Sequence, residues 1–124
     1  MDYFNDQQAR ELVDRLVSLT ELGRLVWQQA NSEYVFMCQI KSTAFALRSK
    51  DGDDLAPHIL AVFVSENGGG ARQIQEIDST YLEPWYAEKL QHLYMLVKRA
   101  TLKIDIIAEN ILADLEEIDV EPPS

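Results

Sequence analysis

The sequence has one cysteine, Cys38, and only five glycines and four prolines in 124 residues. A lone cysteine excludes an internal disulfide and any multi-cysteine zinc site. No apolar run approaches the ~18 residues of a membrane span, and residues 1–8 lack the charged start and apolar core of a signal peptide. Bases are scarce as well, 11 Lys and Arg against 21 Asp and Glu for a net charge of −10. Direct binding to a phosphate backbone depends on clustered Lys and Arg, so nucleic acid is not an expected partner. These absences imply a reducing, cytoplasmic setting without membrane contact.

What is present is a core. At 47% hydrophobic residues the chain is too apolar to stay disordered, and its length suits one domain. Residues 1–124 are read as a single domain with flexible ends at 1–4 and 119–124. The acidic excess is uneven. Asp105, Glu109, Asp114, Glu116, Glu117, Asp119 and Glu121 follow Lys103 with no base among them, leaving 14 acids against 11 bases elsewhere.

Residues 5–22 set Ala9, Leu12, Val13, Leu16 and Val17 on one helical face, with Arg10, Asp14 and Arg15 opposite. Asn5 and Gln8 have the spacing of a capping box, Phe4 can staple onto Ala9, and Gly23 suits a left-handed helix end. After Gly23 the period shortens to that of strands, starting with Leu25 and Trp27. Residues 33–40 place Tyr34, Phe36, Cys38 and Ile40 on one face and Val35 and Met37 on the other. A third strand spans 43–48, joined through Lys41-Ser42 by a turn or a bulge. Residues 49–57, with Asp51-Gly52-Asp53-Asp54, read as a loop. Residues 58–65 are apolar on both faces, the pattern of a strand covered on both sides. Asn67-Gly68-Gly69-Gly70 signals a hairpin into a fifth strand over 71–77.

From Pro84 to Ile118 glycine and proline are absent apart from Pro84 itself, and Leu90, Leu93, Val97, Ala100, Ile104, Ile107, Ile111, Leu115 and Ile118 recur at a nearly heptad spacing. The spacing predicts one long helix over 84–118, with Thr80 and Glu83 as a capping box and Pro84 in the first turn. At ~1.5 Å per residue such a helix would run ~52 Å, beyond the ~35 Å diameter of a compact domain of this size. It must protrude, break or pack on another chain. The expected fold is therefore α+β: an N-terminal amphipathic helix, a four- to five-stranded antiparallel meander and a long C-terminal helix.

Thr20-Glu21-Leu22-Gly23-Arg24-Leu25-Val26-Trp27, the tyrosine strand after it, the Asn67-Gly68 hairpin and a final helix bearing Leu93-Tyr94 resemble small bacterial α+β domains whose sheet opens with T-x-x-G-x-x-x-W. The resemblance covers most of the chain and implies fold and bacterial origin, without an activity. In outline the chain is also similar to the small acidic chaperones of type III secretion, although those insert a helix in mid-sheet where the loop at 49–57 is short and polar.

No catalytic, cofactor or metal motif is present. Cys38, His58 and His92 are the sole candidates for a nucleophile or soft ligand. An aromatic strand gives Cys38 the setting of an ordinary buried thiol. His58 reads as a polar strand end, and His92 as a surface partner of Glu88. Asp51, Asp53 and Asp54 lack the calcium-loop spacing, because glycine stands second and no glutamate closes the loop; they read as a solvated turn. The glycine run precedes no helix and no Lys-Ser or Lys-Thr pair, which leaves it a hairpin tip.

The expected function is a non-enzymatic protein–protein interaction domain, either a homodimer or a subunit of a bacterial complex. Its candidate interface comprises Ile104, Ile107, Ile111 and Leu115 with the aromatic pair Trp85 and Tyr86, which could instead cap the end of the sheet core beside Tyr81. The alternatives are an immunity protein or antitoxin covering a basic toxin site, a small acidic secretion chaperone, and a small enzyme using Cys38 with a histidine.

Overall fold

The computed structural model describes residues 3–30, 32–66 and 69–120, with the backbone alone at 104, 105, 119 and 120. Helix α1 spans Asp6–Glu21. Its start is the expected capping box: Gln8 N–H donates to Asn5 Oδ1 at 2.8 Å and Asn5 N–H to Gln8 Oε1 at 3.1 Å. Its end is closed by Gly23 at φ +69°, with Gly23 N–H on the Thr20 carbonyl and Arg24 N–H on that of Leu19. Phe4 is held rather than loose, since its N–H donates to Gln75 Oε1 at 2.7 Å and its ring packs on the core cluster that includes Ala9. Residues 1–2 and 121–124, the rest of the expected flexible ends beyond α3, lie outside the described residues.

Five strands follow as an antiparallel meander in chain order: β1 (Trp27–Gln29), β2 (Val35–Ile40), β3 (Thr43–Ser49), β4 (His58–Ser65) and β5 (Ala71–Asp78). Ile40 pairs with Thr43, so Lys41-Ser42 is a two-residue turn with Lys41 at φ 54° and not a bulge. The bulge lies two hairpins later, between β4 and β5, where Val62 and Phe63 face Gln75 and Gln73 and leave Ile74 unopposed.

The inner face of the sheet carries Phe36, Cys38, Phe45, Leu47, Leu60, Val62 and Ile77, in one cluster with Ala9, Val13, Leu16 and Val17 of α1. Helix α2 (Pro84–Leu102) completes that cluster with Tyr86, Leu90, Leu93, Tyr94 and Val97. Both packed helices sit on this side. Strand β4 is nonetheless buried on both faces at Ile59 and Ala61. Arg48 of β3 flanks Ile59, Glu76 of β5 flanks Ala61, and the two charged ends meet at 4.0 Å above β4. A strand-spanning ion pair thus covers the outer face where the apolar pattern suggested a second layer.

The long C-terminal helix is divided. A short 3-10 helix (Ser79–Tyr81) precedes α2, and Asp78 caps it through Thr80 N–H, so Thr80 is not available to pair with Glu83. Glu83 begins α2 without a side-chain cap, and Pro84 occupies its first turn as expected. Lys103, at φ 54° and ψ 41°, ends α2 with its N–H on the Arg99 carbonyl, while its own carbonyl accepts from Ile107 N–H at 3.0 Å. Helix α3 (Ile104–Val120) begins at the next residue. A left-handed lysine costs about 1–2 kcal/mol, a conformation that no glycine or asparagine in the sequence announces. The break falls where sheet cover ends: Val97 is sealed, Ala100 is exposed, and Thr101 makes the last polar contact with the Trp27 carbonyl.

Candidate interaction surface

Helix α3 presents apolar side chains to water. Ile106, Ile107, Ile111, Leu112, Leu115 and Ile118 are each between 52% and 68% exposed. Ile107, Ile111, Leu115 and Ile118 recur every three or four residues and form one ridge. Asp114 borders the ridge on one side and Glu116, beyond Leu112, on the other. No base interrupts the helix. Of the expected interface residues, Ile107, Ile111 and Leu115 share this ridge; Ile104 opens the helix, its side chain outside the described set.

Trp85 and Tyr86 lie elsewhere, at the far end of α2, about 28 Å along a 19-residue helix. Tyr86 is buried, and its hydroxyl donates to Asp6 Oδ1 at 2.7 Å. Burial, then the Asp6 carboxylate, pushes its pKa up to about 12. Trp85 stands edge-on to Tyr86 at 5.1 Å, and the Arg10 guanidinium lies 5.0 Å from its ring. The pair therefore closes the end of the core and does not join the α3 surface. Tyr81 is exposed, with the Lys50 ammonium 4.7 Å above its ring.

The nucleophile and ligand candidates are scattered. Cys38 is buried on the inner face, and burial raises its thiol above the usual range. It aligns through Phe45 with Val62, four residues or about 13 Å along β4 from His58. His58 is not a polar strand end but fully buried, 4.6 Å from the Tyr94 ring, and neither ring nitrogen has a hydrogen-bond partner among the described residues. Burial holds it below the ordinary histidine value, against the pull of the Asp54 backbone and the Asp53 and Asp54 carboxylates. His92 is exposed and meets Glu21 of α1 at 3.3 Å instead of Glu88. Among the described residues no three His, Cys, Asp or Glu converge as a metal site.

Two loop aspartates are structural clamps, not solvated ends. Asp53 accepts from Ser49 Oγ at 3.1 Å and from Leu55 N–H at 3.0 Å. Asp54 accepts from Tyr94 Oη at 2.6 Å and pairs with Lys98. Burial alone would raise the Asp54 carboxyl, but Lys98 and Tyr94 hold it below its ordinary value. The readable signal was a tyrosine and a lysine four apart on α2, able to reach one acceptor. The glycine run is a hairpin tip, with Glu66 N–H on the Gly70 carbonyl at 2.9 Å; Asn67 and Gly68 lie outside the described residues. The T-x-x-G-x-x-x-W residues form a corner, in which Trp27 Nε1 donates to the buried Thr20 hydroxyl at 3.1 Å across the turn at Gly23.

A second bare surface had no counterpart in the sequence reading. The outer sheet face holds a groove of about 370 Å³ lined by Val26, Gln28, Met37, Cys38, Gln39 and Ala44. Val26 and Met37 are exposed there. Register places the half-buried Ala46 beside Met37 and the buried Ala61 beside Ala46. Arg24 and Lys41, two positions outside Val26 and Gln39, are exposed and have no carboxylate partner among the described residues. The signal available was the run of alanines at alternate strand positions.

No protein-family model, curated protein or solved structure matches the chain.

Proposed function

We propose that this chain is a non-enzymatic protein–protein interaction domain of the bacterial cytoplasm, a homodimer or complex subunit that assembles through α3. One observation carries the reading: six large apolar side chains on a single helix, each more than half exposed, on a chain whose remaining core is sealed. Full burial of such a side chain is worth about 1.5–3 kcal/mol, and contiguous apolar surface on a soluble domain marks a place where something docks. The absence of any helix long and apolar enough to cross a membrane among the described residues leaves α3 too short and too acidic to serve as a span.

Light scattering on a sizing column tests this. The wild type should exceed the 14.2 kDa of one chain, and Ile107→Asp with Ile111→Asp should reduce it to one chain with its circular dichroism retained. A single-chain mass for the wild type, unchanged by the double substitution, would overturn the homodimer, and failure of α3 to be protected from amide exchange in cell extract would overturn the complex subunit.

A further inference from the structure

The apolar ridge of α3 requires a cover, and the charges beside it describe that cover. We infer that the ridge docks an amphipathic helix of a different protein, one whose apolar stripe is flanked on both sides by lysine or arginine; this rests on the assembly role of α3 proposed above. Ile107, Ile111, Leu115 and Ile118 recur at three- and four-residue steps along one line of the helix. Such a line is matched by another helix, whose side chains repeat at the same spacing.

Charge then selects the helix. Glu109, Leu112 and Glu116 form the row on one side of the ridge, and Asp114 and Glu117 the row on the other. All four carboxylates are exposed, and none meets a base among the described residues. A partner that carries cations on both sides of its stripe meets each row with the opposite sign, which favours encounter and fixes the alignment of the two helices.

A second copy of this chain is the poorer occupant. The 17 residues of α3 include no Lys or Arg, so two copies set acid against acid whether they run parallel or antiparallel and in any register. Bases elsewhere on the chain are largely engaged: Arg10, Arg48, Lys50, Arg72, Lys89 and Lys98 each meet a carboxylate of their own chain. Self-association through the ridge therefore works against repulsion and tightens as salt screens it, whereas contact with a basic helix works with attraction and loosens in salt. The sign of the salt response separates the two occupants.

Two synthetic helices of 17 residues, the length of α3, serve as probes. Both carry the same leucine stripe, flanked by lysines in one and by glutamates in the other, and each is titrated with the full chain by fluorescence anisotropy of a terminal label. The lysine-flanked helix should bind roughly tenfold more tightly than its counterpart, weaken in salt, and compete with any self-association seen by light scattering, which should itself strengthen in salt. Ile107→Asp with Ile111→Asp should abolish that binding even though it makes the helix more acidic. Glu109→Lys, Asp114→Lys, Glu116→Lys and Glu117→Lys together, at exposed positions that leave the core untouched, should reverse the preference between the two probes. Equal affinity for both probes, or undiminished binding of the lysine-flanked probe to the isoleucine variant, would overturn the basic partner and leave assembly through α3 standing. If neither probe binds, the basic partner falls; with a single-chain mass and an α3 unprotected in cell extract, the assembly role falls with it.

Discussion

In α2, Leu90, Leu93 and Val97 are completely sealed, whereas in α3 Ile107, Ile111 and Leu115 keep more than half of their surface open to water. The two helices are consecutive, similar in length and striped at the same spacing. What separates them is the presence of a sheet underneath: α2 lies across the inner faces of β1 and β4 and along α1, while α3 contacts little beyond the end of α2. An apolar stripe states that a face requires cover. It does not state which chain provides it.

Amide exchange offers the largest contrast between these regions. Amides of β4 should exchange only with global unfolding, while those of residues 106–118, in dilute solution where a single copy prevails, should open at a free energy several kcal/mol lower. Equal protection in both would show that α3 is covered within one chain. Side-chain truncation should divide the helices in the same sense. Leu93→Ala should cost about 2–5 kcal/mol in urea unfolding, and Ile111→Ala, measured on the same dilute chain, no more than about 0.5 kcal/mol. Comparable losses would erase the distinction.

His58 gives a third and smaller effect, confined to the sealed region. Its depressed value means that, below the unfolded histidine pKa of about 6.5, the unfolded chain takes up a proton that the folded chain refuses. Stability should therefore fall as pH drops through that range. Asp54 and Asp78, held below their ordinary values, add a second loss as pH falls through the carboxylate range. His58→Phe removes two unpartnered buried nitrogens and should gain about 1 kcal/mol, flattening the first step while leaving the second. A histidine step that survives this substitution would overturn its assignment to His58. A comparable effect belongs to the start of α1, where Asn5→Ala removes the side-chain acceptor of Gln8 N–H, leaves the backbone Asn5 N–H on Gln8 Oε1, and should cost about 1 kcal/mol in thermal unfolding.

Local rules decided the meander. Asn5, Gln8 and Gly23 announce the ends of α1 because caps are satisfied by neighbours in sequence, and alternation puts Phe36 and Cys38 on one face of β2 because a strand's side chains point to opposite sides. Lys103 escaped the same rules: the break is made by the end of the sheet beneath α2, and nothing local distinguishes that lysine. His92 likewise met Glu21 and not Glu88, because α1 packs beside α2, a long-range fact that helical spacing does not encode.

The sequence by itself determined the α+β class, the order of its elements, the acid-rich C-terminal stripe and the residues that make the ridge, since each depends on period, capping or composition. Only the tertiary structure decided that Tyr86 closes the core, that Asp54 clamps α2 through Tyr94 and Lys98, and that Arg48 and Glu76 bridge over β4. The physical reason is common to these cases. Which side chains become neighbours across separate elements depends on how those elements stack, and stacking is fixed by the collective burial of the core.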